Sequence, residues 1–156
     1  MKRRSFLQST FAAAMGVPML GGPVLDQPWS FRVLSQDQGD VDAVTGDGRQ
    51  ITLPGTTIKD LAAELRGRIL LANHDGYEDA RRILNPSFEK YPALIAQPTG
   101  TADVRTAVRF AKEYDLLTAV KCGGHSYSGK STCDKGILID LSNFRGVRVY
   151  PATRRA

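Results

Sequence analysis

The sequence is poor in cysteine, with two among 156 residues, and it has a single tryptophan. Two cysteines are too few for a fold that depends on several disulfides. No apolar run reaches the ~18 residues that a membrane-spanning helix requires. What is present, 42% hydrophobic and 24% charged residues, is typical of a globular chain and excludes collagen-like and wholly disordered classes. At this length one domain is expected.

The positive charge is concentrated at the two ends of the chain. The formal net charge is +5, but seven of the 21 basic residues lie at positions 2–4 and 145–155. The rest of the chain has 14 basic and 16 acidic residues. Binding to a nucleic-acid backbone needs a basic surface with interleaved aromatic side chains. No such stripe is present in the sequence, and we predict no nucleic-acid partner.

Residues 1–25 have the three-part build of an export signal. Three basic residues at 2–4 precede a largely apolar stretch over 6–20, and a Gly-Gly-Pro break follows at 21–23. The apolar stretch is too short and too weakly hydrophobic to remain as a stable membrane span. The alternative is an amphipathic N-terminal helix that begins with basic residues. The order of the three parts favours the signal.

The string Arg-Arg-Ser-Phe-Leu-Gln at residues 3–8 resembles the twin-arginine signal. This resemblance implies that the twin-arginine export machinery is a partner. It also implies that the protein is exported already folded, often with a cofactor inserted in the cytoplasm. The expected location is therefore periplasmic or extracellular, and residues 1–25 are excluded from the predicted fold.

The remaining chain divides into three predicted parts. Residues 26–56 are polar and rich in turn-forming residues, and we expect a linker with one short strand over 49–53. Residues 57–90 form a helical lead-in. Residues 91–156 form the last part, which contains the most informative patterns.

Two helices are predicted in the lead-in. Thr57 is followed three residues later by Asp60, a spacing typical of a capping box at the start of a helix. Gly67 is well placed to end that helix. A second short helix is expected over 77–84, before the Asn85-Pro86 pair.

Residues 91–156 alternate between strands and a helix. Short apolar runs over 92–97, 116–121 and 136–141 predict three buried strands. Thr101 is a suitable cap for a helix between the first two strands. Apolar residues of this helix recur at three- and four-residue spacing, namely Val104, Ala107, Val108 and Ala111. The predicted class is α+β, with short helices packed on a small mixed sheet.

The loop between the last two strands contains the residues best suited to chemistry. It reads Cys-Gly-Gly-His-Ser-Tyr-Ser-Gly-Lys-Ser over 122–131. Glycines allow a backbone to approach a ligand closely and to adopt positive φ. Successive N–H groups and serine hydroxyls can line a concave anion site. A buried strand that leads into such a loop is a common way to hold a diphosphate.

Residues 124–131 also fit the P-loop pattern G-x-x-x-x-G-K-S. A P-loop requires a helix that begins at the Lys-Ser pair, because the helix N-terminus holds the phosphate. The residues that follow, 131–136, are typical of a turn instead. The sequence context therefore disfavours a nucleoside-triphosphate site, which stays as a minor alternative.

The run from Tyr91 to Val149 resembles the N-terminal part of the FAD-binding domain of the vanillyl-alcohol-oxidase type, also termed PCMH-type. The resemblance is strongest to the berberine-bridge-enzyme-like oxidases. Five blocks occur in the family's order, at residues 92–95, 103–104, 107–111, 123–129 and 139–142. Upstream, Gly76-Tyr77 and Ala80-Arg81-Arg82 are similar to the lead-in of bacterial members. The resemblance implies an incomplete FAD-binding domain over 91–156.

The resemblance implies FAD as the cofactor and gives roles to five residues. Gly123, Gly124, Ser126 and Gly129 would belong to the diphosphate loop, and His125 would be the covalent attachment point at the 8α-methyl carbon of the flavin. The alternative for His125 is a polar loop residue in a non-covalent FAD site. The covalent role in a diphosphate loop requires that no helix begins at Lys130 and that the imidazole faces a cavity.

The family's catalytic base, substrate-binding domain and second flavin-linking cysteine correspond to sequence beyond Ala156. No catalytic residue is therefore expected in this chain, which we expect to be a fragment that is inactive alone. The complete enzyme would oxidise an alcohol, sugar or amine and pass electrons to oxygen or another acceptor. A different alternative is an exported, non-enzymatic remnant without cofactor.

The remaining cysteines and histidines allow further interpretations. Cys122 and Cys133 would form a short disulfide in an exported protein, or remain two small buried thiols. Neither matches the family's flavin-linking cysteine. A zinc site that adds His74 and His125 is disfavoured, because the spacing fits no finger arrangement and glycine-rich loops seldom organise four ligands. We predict no metal.

Overall fold

The computed structural model describes residues 39–147 and 149–155. The export signal predicted over 1–25, and the first part of the linker predicted over 26–56, lie outside the described residues.

A four-stranded mixed sheet forms the centre of the described chain. Its strands are β3 (Arg68–Leu70), β4 (Leu94–Gln97), β5 (Thr118–Lys121) and β6 (Ile137–Asp140), in the order β3-β4-β6-β5. β4, β6 and β5 are parallel, and β3 is antiparallel to β4. The three predicted strands are confirmed. β3 was not predicted, because its three residues show no alternation of their own and are ordered by pairing with β4.

The stretch predicted as a linker contains a β-hairpin rather than one strand. β1 (Val41–Val44) pairs with β2 (Gln50–Leu53) in antiparallel register. Ala43 and Leu53 are buried in the core. The linker interpretation is therefore wrong for this part of the chain. The buried apolar residues of the hairpin are few and lie among polar residues, so the sequence shows no clear apolar pattern.

The two faces of the sheet bury different side chains, as the two-residue period of a strand requires. On β4, Leu94 and Ala96 belong to one core cluster and Ile95 to the other. The first cluster is covered by the hairpin, α1 (Gly55–Glu64) and α3 (Thr101–Glu113); the second includes residues of α2 (Tyr77–Arg81). This arrangement confirms the predicted class of short helices on a small mixed sheet.

Both helices of the lead-in differ from their predicted bounds. α1 begins at Gly55 after Pro54 and has no side-chain cap, so the capping box at Thr57 is wrong. α1 ends at Glu64, before Gly67. A Cβ atom at Gly67 would lie 2.0 Å from the carbonyl oxygen of Gln97, so this glycine is required by the close approach of β3 to β4. α2 ends at Arg81, earlier than expected.

The start of α3 is stabilised by Asp103 rather than by Thr101. The Asp103 carboxylate accepts hydrogen bonds from the backbone N–H of Thr99 at 2.9 Å and of Gly67 at 3.1 Å. It also accepts from the N–H of Arg66 at 3.3 Å. Thr101 makes no side-chain cap. One buried carboxylate therefore closes the helix and fixes the turn between α1 and β3.

Two side chains that the apolar patterns predicted as buried are exposed. Val108 on α3 is 50% exposed, because the buried side of the helix is formed by Asp103, Ala107, Phe110 and Ala111. Val120 on β5 is 52% exposed, since β5 is an edge strand of which alternate residues are covered. Within the described residues, no helix has the length and apolarity needed to span a membrane.

The hydrogen bonds to Asp103, chiefly from the N–H of Thr99, lower the pKa of its carboxyl below the ordinary value of 3.8. A lowered folded-state pKa gives stability that is complete above the unfolded-state value and is lost as the pH falls through the folded-state value. Asp103→Asn should therefore lower the urea midpoint at pH 7, and the difference from wild type should shrink as the pH approaches 3. Asp60→Asn, at an exposed position of α1, is the control and should leave the midpoint unchanged at both pH values.

Candidate functional site

A row of polar side chains crosses the sheet at the carboxyl ends of its parallel strands. The Arg68 Nε atom donates to Gln97 Oε1 at 2.8 Å, and Gln97 Nε2 donates to Asp140 Oδ2 at 2.9 Å. The Lys121 Nζ atom lies 3.6 Å from the same Asp140 oxygen. Each strand supplies one residue, because the four positions are neighbours in the register of the sheet.

Lys121 also binds the end of α2. Its ammonium donates a hydrogen bond to the carbonyl oxygen of Ala80. The side chains of Lys121 and Asp140 are 7% and 1% exposed. Because a buried charge requires a partner, this contact holds the last residue of β5 against the α2 terminus. The loop that follows Lys121 therefore begins from a fixed point.

The segment over 122–136 connects the parallel strands β5 and β6 without a helix. Turns cover 127–131, so no helix begins at Lys130. A P-loop needs that helix, and the minor alternative of a nucleoside-triphosphate site is wrong on this observation.

The loop packs on the segment that follows α2, residues 83–88. The N–H of Leu84 donates to the carbonyl oxygen of Gly124 at 3.0 Å. The Asn85 Nδ2 atom donates to the carbonyl oxygen of Tyr127 at 2.9 Å. The ring of Phe88 lies against Gly129, where a Cβ atom would be 2.4 Å from it. The end of the lead-in is therefore a support for the loop.

Two loop glycines are required by geometry, and a third lies against the ring of His125. Gly124 and Gly129 have φ of 68° and 69°, in the left-handed region that L side chains rarely adopt. A Cβ atom at Gly123 would lie 2.6 Å from Cδ2 of His125, because the imidazole folds back over this residue. Gly123 is exposed and has no side chain, so its backbone is accessible at the surface.

A cleft of about 550 Å³ lies beside the first two loop glycines. Its walls include Gly123, Gly124 and three cationic residues, Arg82, Lys121 and Arg145. Among the described residues that line it, none is Asp or Glu. Backbone amides without side chains, next to guanidinium groups, are a suitable environment for phosphate oxygens. The residues present therefore fit a diphosphate.

A second cleft of about 250 Å³ contains His125. Its other lining residues are Leu84, Asn85, Ser126 and Tyr127, and Leu84 also lines the first cleft. Leu84 is 70% and Tyr127 89% exposed, so both offer apolar surface next to the imidazole. In the part of the chain that the structure describes, no hydrogen bond to the imidazole of His125 is found. His125 faces a cavity, as its predicted role requires.

The five predicted site residues do not all have the same environment. Gly123 and Gly124 line the larger cleft, whereas His125 and Ser126 line the smaller one. The hydroxyl of Ser126 accepts a hydrogen bond from the N–H of Lys130 at 3.0 Å and thereby stabilises the turn. Gly129 is buried under Phe88 and lines neither cleft. The loop's role in binding stays a prediction for all five residues.

The two cysteines are free thiols. The disulfide alternative is not realised in the structure, and the alternative of two buried thiols is right for Cys133 but wrong for Cys122, which is exposed. Burial raises the pKa of the Cys133 thiol to about 11, so the thiol remains protonated and unreactive at neutral pH. Within residues 39–147 and 149–155, no cluster of three or more His, Cys, Asp or Glu side chains could hold a metal.

The sequence model of a family described as FAD binding domain matches residues 92–156. The match includes α3, β4 to β6 and the whole glycine-rich loop. Residues 92–156 are thus similar to this FAD-binding family. FAD is the cofactor of this domain, and the match confirms the predicted resemblance.

Curated relatives of the FAD-binding domain are FAD-linked oxidoreductases. The uncharacterised FAD-linked oxidoreductase YgaK of Bacillus subtilis is 33% identical over 86 residues, which cover 55% of this chain and 19% of that protein. The (R)-6-hydroxynicotine oxidase of Paenarthrobacter nicotinovorans is 29% identical over 92 residues, 59% of this chain and 20% of the oxidase. The chain spans about a fifth of the length of these relatives.

Solved structures with a similar fold include an oxidase and a BBE-like protein. The 6-hydroxy-D-nicotine oxidase of Arthrobacter nicotinovorans aligns over 56% of this chain and 19% of its own, with a TM-score of 0.53 and 28% identity. The BBE-like 1 protein of Physcomitrella patens aligns over 62% of this chain and 21% of its own, with a TM-score of 0.54 and 26% identity. The fold described here thus matches that of FAD-binding domains of the vanillyl-alcohol-oxidase type.

Sequence reasoning missed the cationic residues of the larger cleft. Arg145 was counted only among the charges near the C-terminus, and Arg82 only as part of a family-like lead-in. Their approach to the loop depends on how the segment after α2 and the segment after β6 meet it. No local pattern in the FAD-binding domain's sequence reports that juxtaposition.

Gly129→Ala should destabilise the chain by at least about 2 kcal/mol, because an L side chain resists left-handed φ and its Cβ atom would overlap the Phe88 ring. Urea unfolding at neutral pH measures the loss. The control is Gly146→Ala, where no atom lies within 4 Å of the added Cβ; it should shift stability by less than ~0.5 kcal/mol. Equal effects of the two substitutions would contradict the packing described for the loop.

Proposed function

We propose that the chain is the N-terminal part of an exported FAD-dependent oxidoreductase that binds FAD through the Gly-Gly-His-Ser loop over 123–126. The principal support is the position of this loop between two clefts. The larger cleft offers glycine backbone and cationic side chains, and the smaller one offers an imidazole between apolar surfaces. FAD has a charged diphosphate at its centre, which matches the larger cleft, and an apolar flavin ring at one end, which matches the smaller cleft.

We further propose that His125 forms a covalent bond to the flavin. A neutral imidazole is a competent nucleophile near pH 7, and apolar surface from Leu84 and Tyr127 adjoins it. Bound FAD would supply the redox chemistry, and the ring edge that carries its 8α-methyl group would be the part next to His125. The role of His125 is to hold that ring edge in the smaller cleft.

The proposed activity belongs to the complete protein and not to this part alone. Relatives named as oxidases act on 6-hydroxynicotine, carbohydrate and xylooligosaccharide. We propose that the complete enzyme oxidises a small alcohol, sugar or amine and transfers the electrons through FAD to oxygen or another acceptor. We assign no catalytic residue within residues 39–147 and 149–155, and we expect no turnover from the chain by itself.

The covalent proposal is tested by purifying the chain after incubation with FAD and running denaturing gels under ultraviolet light. The wild-type band should fluoresce, and the His125→Ala band should be dark, because the attacking nitrogen is absent. The chain's other histidine supplies the matched control. His74 lies in the turn before α2, where Nδ1 accepts the N–H of Leu71 at 3.2 Å, and His74→Ala should remain fluorescent.

The outcomes separate three alternatives. A dark wild-type band with a flavin absorption spectrum in the native protein indicates a non-covalent FAD site and contradicts the role of His125. A wild-type chain with neither fluorescence nor a flavin spectrum supports the non-enzymatic remnant. Equal fluorescence from the wild type and His125→Ala places the attachment at another residue.

We also propose that residues 1–25 direct export by the twin-arginine machinery. Replacing Arg3 and Arg4 together by lysine preserves the charge and removes the arginine pair that the signal resembles. The double variant should remain in the cytoplasm, whereas the wild-type chain should appear in the periplasmic or extracellular fraction. Lys2→Arg is the control and should be exported. Export of the double variant at the wild-type level would contradict this assignment.

A further inference from the structure

Two consecutive arginines, Arg81 and Arg82, lie at the end of α2, and their environments are opposite. The Arg81 side chain is 5% exposed; its Nη2 atom lies 2.7 Å from Glu78 Oε2 and 3.1 Å from Glu89 Oε1. Its guanidinium also lies 4.1 Å above the centre of the Tyr91 ring. These contacts raise the pKa of Arg81 above its ordinary value, chiefly through the hydrogen bond to Glu78. Arg81 is a structural clamp between α2 and the segment before β4.

Arg82 has no comparable partner among its near neighbours. Its guanidinium lies 3.8 Å from Glu78 and 3.9 Å from Asp79, beyond hydrogen-bond distance. The Arg82 side chain is 65% exposed and that of Asp79 is 90% exposed, so these pairs contribute little. Glu78 is already engaged by Arg81 at a shorter distance. The Arg82 guanidinium is therefore available to a stronger anion.

The larger cleft is lined by Arg82 and by a second available cation. Arg82 lines this cleft together with Gly123 and Gly124, and so does Arg145, whose Nε atom lies 3.4 Å from the carbonyl oxygen of Ser142. The third cation of the cleft, Lys121, is neutralised by Asp140. Two guanidinium groups thus remain for an incoming ligand, and a diphosphate has two negative charges to offer.

We propose that Arg82 and Arg145 bind the two phosphates of FAD in the larger cleft, where the backbone of Gly123 and Gly124 contacts the same group. The assignment rests on the proposed binding of FAD by this loop. Arg82 is suited to it because the N–H of Leu84 binds Gly124, which fixes the backbone beside Arg82 relative to the loop. A planar guanidinium can donate two parallel hydrogen bonds to one phosphate.

The test compares Arg82→Gln and Arg145→Gln with Arg105→Gln, which removes an exposed arginine of α3 outside the cleft. All of these chains, including the reference, carry His125→Ala, so that no covalent bond forms. The dissociation constant for FAD is measured by quenching of flavin fluorescence at two salt concentrations, and the thermal midpoint is measured without ligand. Each cleft variant should raise the dissociation constant about tenfold at low salt, as expected for a lost hydrogen bond to a charged group. The cleft variants should also depend less on salt than the wild type.

Arg105→Gln should bind FAD as the wild type does, and the thermal midpoints of all three variants should be unchanged. Wild-type affinity in Arg82→Gln and Arg145→Gln would overturn the assignment and leave the proposed function intact. A tenfold loss in Arg105→Gln as well, or a loss that follows a lowered thermal midpoint, would also overturn it. A wild-type chain that binds no FAD would contradict the proposed function itself.

Discussion

The buried ion pair of Lys121 and Asp140 is the contact on which the remaining site geometry depends. It joins the last residues of two parallel strands. Asp140 accepts a hydrogen bond from the Gln97 amide on one side, and Lys121 donates one to the Ala80 carbonyl oxygen on the other. A buried pair gives little net stability by itself, but removal of one partner leaves an uncompensated charge. The pair is best understood as a fixed point: the glycine-rich loop leaves the sheet at Lys121, and the segment after Asp140 leads towards Arg145.

The proposed binding surface combines bare backbone of the glycine-rich loop with cationic side chains of the larger cleft. A helix N-terminus is the common way to present several N–H groups to a phosphate, but no helix begins in this loop. The conformation is instead imposed by contacts to residues 83–88 and by positive φ at Gly124 and Gly129. The contacts to residues 83–88 hold the loop in place. The groups that line the two clefts would provide the selectivity for the proposed FAD.

The sequence predicted those elements whose residues reveal them locally. β4 and β6 are continuous apolar runs buried on both faces, and α3 has a clear helical period. The glycine-rich loop was found because its composition is itself a signal. β1 and β3 were missed, since a short strand is defined by the partner with which it pairs.

The errors at helix ends have a related cause. Thr101 is a suitable cap by residue type, but it makes no side-chain cap. Asp103 in the first turn instead accepts hydrogen bonds from the N–H and the hydroxyl of Thr99, which precedes the helix. Arg81 and Arg82 are identical letters, and only the tertiary structure distinguishes a buried clamp from an exposed cation. The exposure of Val108 likewise follows from which side of α3 meets the sheet. In each case, contacts with residues distant in the sequence determine where the helix ends or which side chain is buried.

The support of the loop by residues 83–88 bears on where this module starts. The family match begins at Pro92, yet Leu84, Asn85 and Phe88 hold the loop from outside that boundary. A recombinant piece trimmed to the matched region would keep every glycine of the loop. It would lose residues 83–88, the surface on which the loop packs. A piece made for grafting or expression should therefore include residues 83–88 as well. A boundary drawn from sequence similarity alone would separate the loop from the residues that support it.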